Sequence, residues 1–79
     1  MPTFHLSTNT VDDFGLGNEV RYLPMWVNGD ATHPDCENGV VHSINECFVF
    51  VQFYDTVTGE LDMQPKATRP EDLINMSES

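Results

Sequence analysis

The chain has 79 residues, 39% of them hydrophobic and 10% aromatic, with 13 Asp+Glu against 3 Lys+Arg and a formal net charge of −10. This length allows one domain with one core, and the apolar fraction is too high for a chain that stays disordered. A surface so negative repels polyphosphate and anionic lipid, which argues against a nucleic-acid or membrane-surface role and for a basic partner.

Acidic residues run from Asp12 to Glu78 without a block of like charge, the pattern of a charged folded surface rather than an acidic tail. Cys36 and Cys47 are too few for a disulfide scaffold and too far apart for a redox or zinc knuckle, so they read as free thiols in a reducing compartment. Met1-Pro2-Thr3-Phe4-His5 has neither the basic start nor the apolar stretch of a signal peptide, and no apolar run is long enough to span a bilayer. A cytoplasmic location is expected.

In chain order, turn residues cut the sequence into short apolar runs, the spacing of an all-β domain. Residues 1–14 read as an arm or optional strand in which Phe4 and Leu6 alternate. A barrel is expected over 15–74, with 75–79 as a frayed tail. Gly15-Leu16-Gly17 leads into a first strand at Glu19–Leu23, where Val20 and Tyr22 share a face and Pro24 stops the ladder. Met25 to Asn38 is a long loop bent at Asn28-Gly29-Asp30 and His33-Pro34-Asp35.

Gly39–Ser43 and Cys47–Tyr54 form the strongest hairpin signal. A three-residue connection at Ile44–Glu46 places Val41 beside Val49, and puts Val41, Val49, Val51 and Phe53 on the core face. Val40, His42, Phe48 and Phe50 then point the other way. Beyond a turn at Thr58-Gly59, a weaker strand is expected at Leu61–Gln64. Pro70-Glu71-Asp72 suits one short helical turn before a closing strand at Leu73-Ile74.

Gly17-x-x-Val20, the long loop, Gly39-x-Val41, Val49-x-Val51-x-Phe53 and Pro70-Glu71-Asp72-Leu73 together resemble the SH3-like barrel in its Tudor and KOW-type versions. The resemblance implies an all-β, small SH3-like barrel of about five strands with a short helical turn before the last. The chain lacks the aromatic-rich motif and the third-strand tryptophan of peptide-binding SH3 domains, and the basic loop of nucleic-acid-binding KOW domains. More narrowly, Gly29-Asp30-x-x-His33-x-Asp35-Cys36-Glu37-x-Gly39 followed by Val49-Phe50-Val51 looks like a group of small phage and prophage proteins. That likeness implies a phage accessory protein working in the host cytoplasm.

Asp30, His33, Asp35 and Glu37 beside Trp26 make an acidic loop with an apolar anchor, the composition expected where a basic protein docks. Val40, Phe48 and Phe50 need a cover on the face opposite the core, for which a homodimer is the simplest solution. The first expectation is therefore a non-catalytic acidic module that binds and inhibits a basic surface of a host protein, with DNA mimicry as a special case. It needs no cofactor and no metal.

Two alternatives stand beside it. Arg21, Lys66 and Arg69 are the only fixed positive charges, and their convergence would suit an oligomer that sequesters a small nucleotide-like ligand. His33, Asp35 and His42, with Cys36 and Glu37 nearby, offer the donor types of a metal-dependent hydrolase, although consecutive loop residues point different ways and rarely hold one ion.

Overall fold

Strand structure begins where the glycine-rich segment ends. In the computed structural model, which describes residues 9–77, the strands are β1 (Glu19–Tyr22), β2 (Glu37–Ile44), β3 (Val49–Phe53), β4 (Lys66–Thr68) and β5 (Leu73–Asn75). They form one antiparallel sheet in the order β4-β3-β2-β1-β5, curled into a half-barrel. Helical structure among the described residues is confined to 3-10 turns at Val11–Asp13, Met25–Val27 and Pro70–Asp72. The architecture is all-β and consistent with a small SH3-like barrel, including the single helical turn ahead of the closing strand.

Alternation along the strands decides what is inside. Val20 on β1, Val41 on β2, Val49 and Val51 on β3, and Leu73 on β5 meet Phe14 in one buried cluster, and Tyr22, Ile44, Phe53 and Val11 pack at its edges. Phe14 belongs to the segment read from sequence as an arm, so the packed body begins before residue 15. The last strand likewise includes Asn75, and the Met76 N–H continues its ladder to the Glu19 carbonyl at 2.7 Å. Side-chain amides close this edge: Asn9 donates to the Leu73 carbonyl at 2.8 Å and Asn75 to the Asp13 carbonyl at 3.1 Å. The strand expected around Phe4 and Leu6, and the chain end at 78–79, lie outside the described residues.

The hairpin differs from expectation in register. Ile44, not Val41, pairs with Val49, and Val41 pairs with Val51. The connection is Asn45–Phe48, held by the Asn45 side-chain oxygen, which accepts the Cys47 and Phe48 N–H groups at 2.8 and 2.7 Å. A bulge between Val41 and Ser43 absorbs His42. The extra residue lets Val41 and Ile44, of opposite parity, both pack on the core while His42 is left exposed.

A second correction concerns Leu61–Gln64, where only an isolated bridge from Leu61 to Tyr54 forms and the fourth strand lies at Lys66–Thr68. Asp62 accepts the Gln64 N–H at 2.9 Å, bending the chain just ahead of Pro65. Beyond that proline, Thr68 can be buried opposite Val49.

At Gly39 the sheet leaves no room for a side chain. A Cβ there would lie 2.6 Å from Val51 Cγ1 and 2.7 Å from the Gln52 carbonyl oxygen. Gly39→Ala is expected to cost about 1–3 kcal/mol, since the carbonyl cannot move without disturbing the ladder. Urea denaturation checks this, and a wild-type midpoint would show that the strand gives way freely.

Candidate interaction groove

The long loop is wound rather than loose. Successive turns close it, with the N–H groups of Val27, Asp30, His33 and Cys36 donating to the carbonyls of Pro24, Val27, Asp30 and His33 at 3.0–3.1 Å. Val27 and Cys36 are buried, and the Cys36 thiol donates to the Asp30 carbonyl at 3.3 Å. Arg21 adds a strut, donating from Nε to the Ala31 carbonyl at 2.6 Å and from its terminal nitrogen to Asn38 Oδ1 at 2.7 Å.

In the 3-10 turn at Met25–Val27 side chains diverge around the axis, so burying Val27 turns the neighbouring pair outward. Met25 is 79% exposed and Trp26 66% exposed. Trp26 is not free to swing: its indole N–H donates to Asp35 Oδ2 at 2.7 Å. An exposed tryptophan oriented by a carboxylate is a presented apolar surface rather than a core residue.

Across from this loop lies the Asp55–Glu60 turn. Asp55 accepts the Val57 and Thr58 N–H groups at 2.7 and 3.2 Å, and backbone bonds from Gly59 to Asp55 and from Asp55 to Glu60 close it. Gly59, at φ 77, supplies the left-handed residue. The bridge between Tyr54 and Leu61 sets this turn facing the loop.

Between the two is an open groove of 910 Å³. Trp26, Pro34 and Asp35 line it from the long loop, Phe53 and Tyr54 from the end of β3, and Asp55, Glu60, Leu61 and Asp62 from the turn and the segment after it. Five carboxylates line it, those of Asp35, Glu37, Asp55, Glu60 and Asp62. Lys66 is the one cation in the lining, and it sits 3.8 Å from Asp62 as an exposed ion pair. The Tyr54 N–H donates to the Asn38 carbonyl at 3.0 Å, extending the β2–β3 pairing one residue beyond Gly39 and Phe53. Asp35, Asp55 and Asp62 each accept a hydrogen bond from the protein, whereas the Glu37 and Glu60 carboxylates accept none from described residues.

The residues singled out from sequence divide accordingly. Trp26, Asp35 and Glu37 line the groove, whereas Asp30 and His33 serve the loop's own geometry. Asp30 accepts the Thr32 hydroxyl and N–H at 2.6 and 2.9 Å, and His33 Nδ1 accepts the Asp35 N–H at 3.0 Å. The two bonds from Thr32, the hydroxyl's first, hold the Asp30 carboxyl below its ordinary pKa. Thr32→Ala should therefore raise the Asp30 pKa toward the unfolded value. A depressed carboxyl contributes stability above its unfolded pKa and loses it as pH falls through the folded one, so any effect is confined to acid. An NMR titration of the Asp30 side chain checks this; an unchanged pKa in the variant would remove Thr32 as the cause.

Arg21, Lys66 and Arg69 do not converge. Lys66 and Arg69 line a second depression of 410 Å³ with Tyr22 and Phe53, but Arg21 is outside it, bound to the long loop. Arg69 is engaged by Glu71 at 3.3 Å and Asp72 at 3.6 Å. Among the described residues no three His, Cys, Asp or Glu side chains are grouped to hold a metal. His42 sits at the bulge beside Ser43, while His33 and Asp35 are bonded within the loop. On the outer face Val40 and Phe50 are half-buried within the single chain, and Phe48 is 38% exposed. No described helix is long and apolar enough to cross a membrane.

Sequence reading missed Asp55, Glu60 and Asp62. The signal was present in Tyr54-Asp55 and Glu60-Leu61 flanking Thr58-Gly59: a tight turn closed by those pairs gathers its flanking acids on one side. Comparison with protein-family models, curated proteins and solved structures gives no match.

Proposed function

We propose that this chain is a non-catalytic acidic binding module whose groove takes a basic segment of a partner protein. The observation that carries the reading is that five acidic residues line one groove together with Phe53, Tyr54 and a fixed, exposed Trp26. A guanidinium or ammonium group entering there gains charge-assisted hydrogen bonds and an aromatic face at once. The same charge repels nucleic-acid phosphates, so a protein surface rich in Arg and Lys is the matching class. In the phage setting that the sequence likeness implies, the partner is a host protein and the outcome of docking is inhibition.

Trp26 is the only tryptophan in the chain, which makes it a built-in reporter. Titrating a short peptide of alternating Arg and Gly should change its fluorescence at low salt, with an affinity that falls as salt rises. A peptide of the same length with Glu in place of Arg should leave the emission unchanged. If both or neither alter it, the groove is not a cation-selective site. Sequestration of a nucleotide-like ligand has less support, because the three cations are dispersed and each is engaged with the protein.

A further inference from the structure

Two asparagine–glycine pairs occur in the chain, Asn28-Gly29 and Asn38-Gly39, and the fold treats them in opposite ways. Asn28 caps the turn that presents Trp26, with a left-handed backbone at φ 54 and ψ 41, and Gly29 follows at φ 80. Both are exposed. The Asn28 N–H reaches the Met25 carbonyl at 3.3 Å, but neither the Asn28 side-chain amide nor the Gly29 N–H bonds to any described residue. A Cβ added at Gly29 would meet nothing within 4 Å, so the turn is open to solvent on that side.

Asn38 is exposed too, but it is held by two bonds. Its side-chain oxygen accepts from Arg21 at 2.7 Å and its carbonyl from the Tyr54 N–H at 3.0 Å. Gly39 is buried, paired with Val20 on one side and Phe53 on the other. Its peptide plane cannot rotate unless β2 parts from both neighbours.

We propose that the Asn28-Gly29 turn is a site of spontaneous, fold-selected deamidation, and that Asn38-Gly39 is protected from the same reaction. The Gly29 backbone nitrogen gives up its proton to solvent and attacks Asn28 Cγ. The new carbon–nitrogen bond forms, the bond to Nδ2 breaks, and ammonia leaves with a proton taken from water, closing a five-membered imide. Water then adds across one of the two imide bonds, giving aspartate or isoaspartate at position 28. Nothing is oxidised or reduced; the balance is amide plus water to acid plus ammonia. Each product adds a carboxylate to the loop that carries Trp26, and isoaspartate also lengthens the backbone by one carbon at its turn.

The test is to age the native protein at mildly alkaline pH and follow positions 28 and 38 by peptide mapping, with enzymatic methylation to detect isoaspartate. Asn28 is expected to react at least about tenfold faster than Asn38, because freeing the exposed Asn28-Gly29 turn breaks only local bonds such as Asp30 N–H to the Val27 carbonyl, whereas a central strand opens only with much of the fold. In urea the two sites should react at similar rates. Asn28→Gly, which suits the left-handed backbone, should abolish the methylation signal. Native protein in which Asn28 reacts no faster than Asn38, or whose product at 28 is aspartate alone, would overturn the proposal.

Discussion

Replacing Leu73 by alanine is expected to leave most of the chain unfolded at room temperature. Leu73 is 1% exposed and sits where the closing strand meets Val20, Val41, Val49 and Val51. Removing a buried leucine side chain costs about 2–5 kcal/mol in lost transfer energy and residual cavity. A domain under about 80 residues has roughly 3–5 kcal/mol from its single core, so the loss is comparable with the whole. β5 cannot reseat itself, being three residues long and paired, among the described residues, with β1 alone. The neighbouring Ile74 is 37% exposed on the other face, and Ile74→Ala should cost only about 0.5 kcal/mol. Urea titrations followed by circular dichroism separate the two. Equal losses would mean that the face assignment of β5 is wrong.

The second large effect concerns binding. Glu37 and Glu60 line the groove, and their carboxylates make no hydrogen bond to described residues, so reversing their charge disturbs recognition more than architecture. Glu37→Lys with Glu60→Lys is expected to weaken binding of an Arg-containing peptide on the order of 100-fold, about 1.4 kcal/mol for each reversed charge. The control is Asp12→Lys with Glu46→Lys, which changes net charge equally at exposed positions outside the groove. If recognition were a matter of overall charge, the two pairs would weaken binding alike. The groove account requires the first pair to lose affinity and the second to lose little beyond its share of long-range attraction. Trp26→Ala should reduce affinity about tenfold or more with little change in salt dependence, because it removes an aromatic surface and no charge.

Where the chain's own pattern set the outcome, the fold was legible. Val49, Val51 and Phe53 alternate without interruption, so their face could be read before any contact was known. Pro70-Glu71-Asp72 announced the turn ahead of the last strand in the same way. The hairpin register was not readable, because a bulge at His42 is selected by packing: only when Val41 and Ile44 both need the core does skipping one residue become favourable. Likewise Leu61-Asp62-Met63-Gln64 alternates well but has no partner strand long enough, and Pro65 then displaces pairing to Lys66–Thr68.

The site was half visible for a related reason. Trp26, Asp35 and Glu37 stand close in sequence and were found together. Asp55, Glu60 and Asp62 reach the same groove from more than fifteen residues away, through the pairing of Tyr54 with Leu61. Arg21, weighed from sequence only as one of three cations in an alternative ligand site, is a strut for the long loop, a role that depends on where Ala31 lies and leaves no mark in local sequence.

The most direct test of the groove is chemical-shift mapping on isotope-labelled protein while a short Arg-Gly peptide is added at low salt. The account predicts saturable shifts at the Trp26 indole N–H, at Asp35 and Glu37, and at the Asp55–Asp62 turn, with the outer face around Val40 and Phe50 and the termini unmoved. Shifts scattered over acidic residues all round the molecule, or gathered on the Val40 and Phe50 face, would contradict it.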